Sequence, residues 1–170
     1  MPPDQALEAI KQGLRGYKAL PHRLELVAEV AGRKFFNDSL ATTPESAIVA
    51  LSAFQQPIIL FAGGYDKGSD LTDMARAIAA QPNVKAVALL GTTGPRLSQL
   101  LDQFDPHHKI HRTLCKSFDE AFTWAAQQSS PGDILLLSPG CASYDWFQNL
   151  VDRGTQFRRR AEASGSLFQG

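Results

Sequence analysis

Hydrophobic and polar positions repeat along this chain with two different periods. Residues 3–20 carry apolar side chains three and four positions apart, which predicts a helix. Residues 24–30 follow a period of two, which predicts a strand with its even-numbered residues on one face and its odd-numbered residues on the other. A turn at Gly32 leads into residues 34–37. The two segments are therefore predicted to pair as antiparallel strands.

From residue 43 onward, helical and strand patterns alternate. Helices are predicted at residues 44–54, 71–80, 95–104, 117–128 and 144–163, and strands at residues 57–62, 84–90, 109–111 and 133–137. Strands separated by helices of this length indicate crossover connections and parallel pairing. The predicted fold is α/β: a Rossmann-like, mostly parallel sheet with helices on both faces and an antiparallel strand pair near the N-terminus. Residues 164–170 are predicted to form a disordered tail.

The amino-acid composition argues against several classes of partner and site. Seventeen basic and seventeen acidic residues balance, which argues against nucleic acid or an anionic membrane as partner. No apolar run approaches the roughly 20 residues of a spanning helix, and the first twenty residues lack the apolar centre of a signal peptide. Two cysteines without a CxxC pattern predict neither a disulfide framework nor a zinc site. We expect a cytoplasmic protein without a metal site of its own.

Two glycine-containing stretches carry the candidate chemistry. Residues 63–68 (GGYDKG) and 138–150 (SPGCASYDWFQNL) each follow an apolar run typical of a buried strand. Ligands of open parallel sheets bind at the carboxyl ends of the strands. Lys67 offers a positive charge there for a carboxylate or phosphate. The spacing is not that of a Walker phosphate loop, so the sequence favours a site for a small acidic molecule.

Several short polar side chains flank these stretches. Asp38 ends a predicted strand, where a carboxylate commonly holds a ribose or a metal-bound water. Either Thr42 or Thr43 is predicted to cap the following helix. Ser143 is predicted to cap the last helix, to donate to a ligand, or to do both. Cys141 is predicted to be a small packed residue rather than a reactive thiol.

Four motifs together resemble the C-terminal domain of the Mur ligase family. They are residues 21–25 (PHRLE), 37–42 (NDSLAT), 63–68 (GGYDKG) and 138–145 (SPGCASYD), in this order and at the family's separations. The second motif favours the branch that adds D-glutamate. The resemblance implies a linking helix at residues 1–20, the D-glutamate-binding domain at residues 21–163 and the tail beyond.

The resemblance also implies roles for individual residues. Thr42 and Lys67 match the residues that bind the α-carboxylate of D-glutamate, and Ser143 and the backbone amide of Leu150 match the donors to its side-chain carboxylate. Neutral donors beside one cation suit a bound dicarboxylate.

ATP contacts are implied for Arg23 and Asp38, the aspartate holding the ribose. The family often has lysine in place of Leu40 and asparagine in place of Thr43. Its phosphate loop and magnesium ligands belong to a central domain that these 170 residues do not encode. ATP and Mg²⁺ are therefore expected to bind mainly to that domain, and the isolated chain is expected to be inactive.

For the whole protein, the resemblance implies a monomeric ATP-dependent ligase of peptidoglycan synthesis. It would join D-glutamate to UDP-N-acetylmuramoyl-L-alanine through an acyl phosphate. Two alternatives stay open at this point: a free-standing, non-catalytic module that binds an acidic metabolite or a mononucleotide, and a domain of a folylpolyglutamate-type ligase.

Overall fold

The computed structural model describes Gln5 and residues 20–169; the helix predicted at residues 3–20 otherwise lies outside this range. The strands are β1 (Glu25–Val30), β2 (Arg33–Asn37), β3 (Ile58–Gly63), β4 (Val84–Leu90), β5 (His111–Leu114) and β6 (Ile134–Leu137). The helices are α1 (Pro44–Leu51), α2 (Thr72–Ala80), α3 (Gly94–Phe104), α4 (Phe118–Gln128) and α5 (Leu150–Glu162). A short 3-10 helix follows at Ser164–Phe168. None of the helices described is long and apolar enough to cross a membrane.

The six strands form one sheet in the order β1-β2-β6-β3-β4-β5. Strands β1 and β2 pair antiparallel, and every other neighbouring pair is parallel. The predicted fold class is thus confirmed. Because β2, β6, β3 and β4 run in the same direction side by side, the loops that follow them emerge at one edge of the sheet.

Helices cover both faces of this sheet. Helices α1, α2 and α3 pack on one face, while α4 and α5 pack on the other. Strand β3 shows why the sequence requires two layers of cover: Ile58, Leu60 and Ala62 face the first layer, and Ile59 and Phe61 face the second. A strand apolar at every position is stable only between two such layers.

Strand β1 departs from the predicted alternation. The pairing register shifts between Leu26 and Ala28, which marks a β-bulge. Val27, Ala28 and Val30 all pack against the core beneath α4 and α5, whereas Leu26 is half exposed. The prediction that Val27 lies on the face opposite Ala28 and Val30 is therefore wrong, because the bulge brings it to the same core.

Strand β5 begins at His111 rather than at residue 109. The Asp105 carboxylate accepts hydrogen bonds from the backbone amides of Lys109 and Ile110, both at 3.0 Å. These amides are held in the turn after α3, so the strand starts only after them.

The last helix begins at Leu150, not at residue 144 as predicted. Asn149 caps it, because its side-chain oxygen accepts a hydrogen bond from the amide of Asp152 at 2.8 Å. Ser143 therefore does not cap this helix. Thr43 fills the corresponding role at α1, where its hydroxyl accepts from the amide of Ser46, as one of the two alternatives predicted.

Residues 164–168, which belong to the predicted tail, pack against the domain in the structure. Ser164 is buried, and Phe168 packs against Phe35 with ring centroids 6.4 Å apart. The guanidinium of Arg33 lies 4.1 Å from the centre of the Phe168 ring. Apolar burial and a cation–π contact thus hold residues 164–168 against the domain.

Candidate functional site

The loops after β3 and β6 are joined through their main chains at the carboxyl edge of the sheet. The amide of Gly63 donates to the carbonyl of Pro139, and the amide of Tyr65 donates to the carbonyl of Ala142, both at 2.8 Å. The two glycine-containing stretches of the sequence therefore lie side by side, although about seventy-five residues separate them in the chain.

Two glycines allow a third loop, the one after β4, to approach as closely. A Cβ atom on Gly64 would overlap the carbonyl oxygen of Ala142, and one on Gly91 would lie 2.7 Å from the Cα of Gly64. Gly91 also has a φ of 62°, which L side chains rarely adopt. Backbone packs on backbone here and leaves no room for side chains.

Above these glycines lies a narrow cleft that Thr42 and Lys67 both line, together with Arg96, Cys141 and Ala142. Its free volume is about 10 Å³, which is roughly what one water requires. A ligand larger than water would therefore bind across its rim. The structure thus brings two of the predicted substrate residues together.

The other two predicted substrate residues, Ser143 and Leu150, do not line the cleft formed by the described residues. Ser143 is buried and follows the cleft residue Ala142 directly. Leu150 opens α5, and its carbonyl accepts a hydrogen bond from the hydroxyl of Ser39 at 2.7 Å. Both residues follow β6, at the same edge of the sheet as the cleft.

An exposed pair of tyrosines flanks Lys67. Its ammonium lies 5.7 Å from the centre of the Tyr144 ring. Tyr144 in turn meets Tyr65 edge to face, with ring centroids 5.9 Å apart. The lysine is thus placed beside an aromatic face at the mouth of the cleft, an arrangement that stabilises a cation.

A second cavity, of about 290 Å³, opens beside the first. Arg23 and Asp38 line it, and so do the apolar residues Leu40, Ala41 and Val49. The segment after β2 joins the two sites, because Ala41 lines this cavity and the next residue lines the cleft. A cation, a carboxylate and an apolar wall match the needs of a nucleotide's phosphates, ribose and base.

Asp38 also holds the start of β1 against the end of β6. Its carboxylate accepts hydrogen bonds from the amide of Leu24 at 3.1 Å and from the hydroxyl of Ser138 at 2.7 Å. Burial raises the pKa of this carboxyl above its ordinary value, although the two hydrogen bonds and the charge of Arg23 act in the opposite direction. The ionised form is therefore less favourable in the folded protein than in the unfolded chain.

We expect Asp38→Asn to raise the free energy of unfolding at pH 7 but not at pH 3. The amide keeps both hydrogen bonds, accepting from Leu24 and donating to Ser138. Because the folded pKa of Asp38 is raised, its contribution to stability is complete below the unfolded pKa of about 3.9 and is lost as the pH rises through the folded pKa. Asparagine does not titrate, so its hydrogen bonds contribute the same stability at both pH values.

Urea unfolding of the unmodified chain, Asp38→Asn and Asp38→Ala at both pH values tests this expectation. The alanine variant should be less stable than the unmodified chain at both, by about 1–3 kcal/mol, because it leaves two donors unpaired. An asparagine variant whose free energy of unfolding, relative to that of the unmodified chain, does not increase between pH 3 and pH 7 would contradict this expectation.

Arg153 is a buried residue that the sequence analysis did not single out. Its guanidinium donates to the hydroxyl and the carbonyl of Ser39 and to the carbonyl of Cys141, each at 2.9 Å. Burial lowers its pKa to about 10, so it stays charged at neutral pH. Arg153 thus ties the NDSLAT segment to the SPGCAS segment. A helical spacing shared with Phe157 and Ala161 is the sequence signal for its inward position.

The two cysteines are packed rather than reactive. Cys141 is buried, and its sulfur lies 3.4 Å from the hydroxyl of Thr93. Burial raises the pKa of both thiols, that of Cys115 to about 11. Across Gln5 and residues 20–169, no three His, Cys, Asp or Glu side chains come together in a way that would hold a metal ion.

Comparison with known families identifies the class to which this fold and site belong. The family described as "Mur ligase, glutamate ligase domain" matches residues 22–141, more than half of the chain. The chain belongs to the Mur ligase family and represents its glutamate ligase domain.

Relatives narrow the identification within the family. The chain is 44% identical over 162 residues to the UDP-N-acetylmuramoylalanine--D-glutamate ligase of Roseiflexus sp. (strain RS-1), covering 93% of this chain and 34% of that protein. It is 39% identical over 155 residues to the ligase of the same name from Salinibacter ruber, covering 91% and 32%. The chain thus spans about a third of the length of these relatives.

Solved structures confirm the fold. A domain from a putative UDP-N-acetylmuramate:L-alanyl-gamma-D-glutamyl-medo-diaminopimelate ligase of Haemophilus ducreyi matches 84% of this chain and 98% of its own, with a TM-score of 0.56 and 15% identity. A bifunctional folylpolyglutamate synthase/dihydrofolate synthase from Yersinia pestis matches 92% of this chain and 34% of its own, with a TM-score of 0.56 and 19% identity. At these identities the likeness establishes the fold alone.

Proposed function

We propose that this chain is the D-glutamate-binding domain of an ATP-dependent ligase that joins D-glutamate to UDP-N-acetylmuramoyl-L-alanine in peptidoglycan synthesis. The observation that carries the proposal is the cleft at the carboxyl edge of the sheet that Thr42 and Lys67 both line. Two relatives named as D-glutamate ligases are 44% and 39% identical to it over 162 and 155 residues.

In this proposal the cleft binds and orients the amino acid. Lys67 supplies the charge, and Thr42 a neutral donor, for the α-carboxylate. Ser143 and the amide of Leu150 donate to the side-chain carboxylate. Holding both ends of the molecule leaves its amine as the free nucleophile and presents it to the activated carboxyl group of the second substrate. Orientation of this kind supplies a large part of the rate enhancement in two-substrate reactions.

ATP is proposed to lie in the neighbouring cavity, with Asp38 at the ribose and Arg23 at the phosphates. The apolar residues Leu40 and Val49 suit the base. ATP, when bound, supplies the phosphoryl group that activates the second substrate. Most of its phosphate contacts and its Mg²⁺ ligands are assigned to the rest of the whole protein. The whole protein is proposed to act as a monomer in the cytoplasm, where ATP is available.

The isolated 170-residue chain is expected to show no ligase turnover. Transfer of a phosphoryl group requires cations and donors around the phosphates, and the chain lacks a phosphate-loop motif. Phosphate release should be measured with ATP, UDP-N-acetylmuramoyl-L-alanine and D-glutamate, using the isolated chain and the whole ligase that contains it. Turnover by the purified chain that persists through repurification would overturn the assignment of this chain as a binding domain.

Titration with D- and L-glutamate distinguishes the proposal from its alternatives. The proposed ligase should use the D enantiomer, whereas a folylpolyglutamate-type domain should prefer the L enantiomer. A free-standing, non-catalytic module for acidic metabolites or mononucleotides should give no turnover with either enantiomer.

A further inference from the structure

Arg96 is a second cation at the cleft that no motif of the sequence includes. It lies in the first turn of α3 and lines the cleft with Thr42 and Lys67. One of its terminal nitrogens donates to the carbonyl of Ser69 at 2.9 Å and to the carboxylate of Asp66 at 3.2 Å. Arg96 therefore contacts the same loop that carries Lys67.

The Nε atom of Arg96 is buried and has no hydrogen-bond partner among the described residues. No other side-chain nitrogen or oxygen in the described part of the chain is in this condition. A buried N–H without a partner costs free energy relative to one that is paired. A ligand oxygen that reached it would recover that free energy on binding.

The pairing with Asp66 leaves the charge of Arg96 available. Its 3.2 Å separation is longer than the roughly 2.7–2.9 Å of a strong charge-assisted bond. Both side chains are about two-fifths exposed, and exposed ion pairs are weak. The cleft thus presents two cations, Lys67 and Arg96, against one carboxylate, which complements the single net negative charge of an amino dicarboxylic acid.

We propose that Arg96 is a further substrate-binding residue, whose Nε–H donates to the same carboxylate that Lys67 and Thr42 bind. This inference rests on the proposed function, since it assigns Arg96 a role in binding D-glutamate. The guanidinium supplies a donor of fixed direction beside the point charge of the lysine. Because the free volume of the cleft is about that of one water, one oxygen of the carboxylate enters it, and the remainder of the amino acid lies across the rim.

The test compares Arg96→Gln and Arg96→Lys with the unmodified whole ligase by steady-state kinetics. Arg96→Gln should raise KM for D-glutamate about tenfold or more, the scale for losing one charge-assisted hydrogen bond, and should leave KM for ATP unchanged. Arg96→Lys keeps the charge but has no Nε–H. Its KM for D-glutamate should therefore lie between those of the unmodified ligase and Arg96→Gln. Arg76→Gln is the matched control, because Arg76 is an exposed arginine paired with Asp73 away from the cleft.

A second comparison separates binding from loop positioning. If Arg96 binds the substrate, Arg96→Gln should raise KM for D-glutamate in both the unmodified and the Asp66→Ala background. If Arg96 acts only by holding Asp66, the effect of Arg96→Gln should disappear once the side-chain acceptor of residue 66 is removed in Asp66→Ala, and the proposal would be overturned.

Different results would overturn the role of Arg96 and the proposed function. An unmodified ligase that works with D-glutamate, together with an Arg96→Gln variant of equal KM, overturns the role of Arg96 alone. Absence of D-glutamate-dependent phosphate release from the unmodified ligase overturns the proposed function and the role of Arg96 with it.

Discussion

Lys67→Ala is expected to raise KM for D-glutamate in the whole ligase by roughly 30- to 150-fold, equivalent to about 2–3 kcal/mol. The variant removes the positive charge at the mouth of the cleft and leaves the substrate carboxylate with neutral donors there. The kcat value should change little, because the contact is present before the reaction as well as during it. Steady-state kinetics with each substrate varied in turn provide the measurement.

Three further variants test whether the effect of Lys67→Ala is specific to the D-glutamate site. Ser143→Ala should raise the same KM by a smaller factor, corresponding to about 1 kcal/mol, because it removes one neutral donor. Asp38→Ala should raise KM for ATP instead. Lys109→Ala, at the opposite end of the sheet just before β5, serves as the charge-matched control. If D-glutamate kinetics were untouched in Lys67→Ala, the loop of residues 63–68 would be only a turn.

Arg153→Ala is expected to lower the free energy of unfolding by about 3–5 kcal/mol, the range for large buried side chains and for broken buried polar networks. Three acceptors, two on Ser39 and one on Cys141, lose their donor, and a cavity forms beneath the site. Urea denaturation of the chain measures the change directly.

Arg153→Met separates the loss of hydrogen bonds from the formation of a cavity, because methionine fills most of the space and offers no donor. A loss close to that of the alanine variant would identify the hydrogen bonds as the larger contribution. Arg159→Ala, an exposed arginine on the same helix, should change stability by less than about 0.5 kcal/mol. Equal losses in Arg153→Ala and Arg159→Ala would contradict the structural role of Arg153.

The sequence predicted the fold well where hydrophobic periodicity was strong. Strand β4 matches its prediction at both ends, and the two-sided burial of β3 follows from its unbroken apolar run. The errors occur where side chains bond locally to the backbone. Strand β5 begins after its predicted start because Asp105 binds the amides that precede it. Helix α5 begins six residues after its predicted start, where Asn149 caps it. Hydrogen bonds from side chains to the local backbone therefore set the ends of elements, and hydrophobic periodicity does not report them.

The proximity of two candidate residues was predictable, but the contacts around them were not. Thr42 and Lys67 each lie in a segment that follows a predicted strand, and the structure brings them into one cleft. Arg96 and Arg153 could not be assigned from motifs. Their importance depends on which partners surround them after folding, and a charged residue on a helix is more often solvated than buried.

The close contact of backbones around Gly64 and Gly91 has a consequence for engineering. A mutagenesis library that randomised these loops to obtain new amino-acid specificity would lose most variants at both glycines, because any side chain there would collide with a neighbouring main chain. Diversity is better placed at Tyr65 and Tyr144, whose rings are exposed. The tolerance of this domain to substitution should therefore change abruptly between adjacent positions, with Gly64 invariant and Tyr65 freely variable in a deep mutational scan of folding.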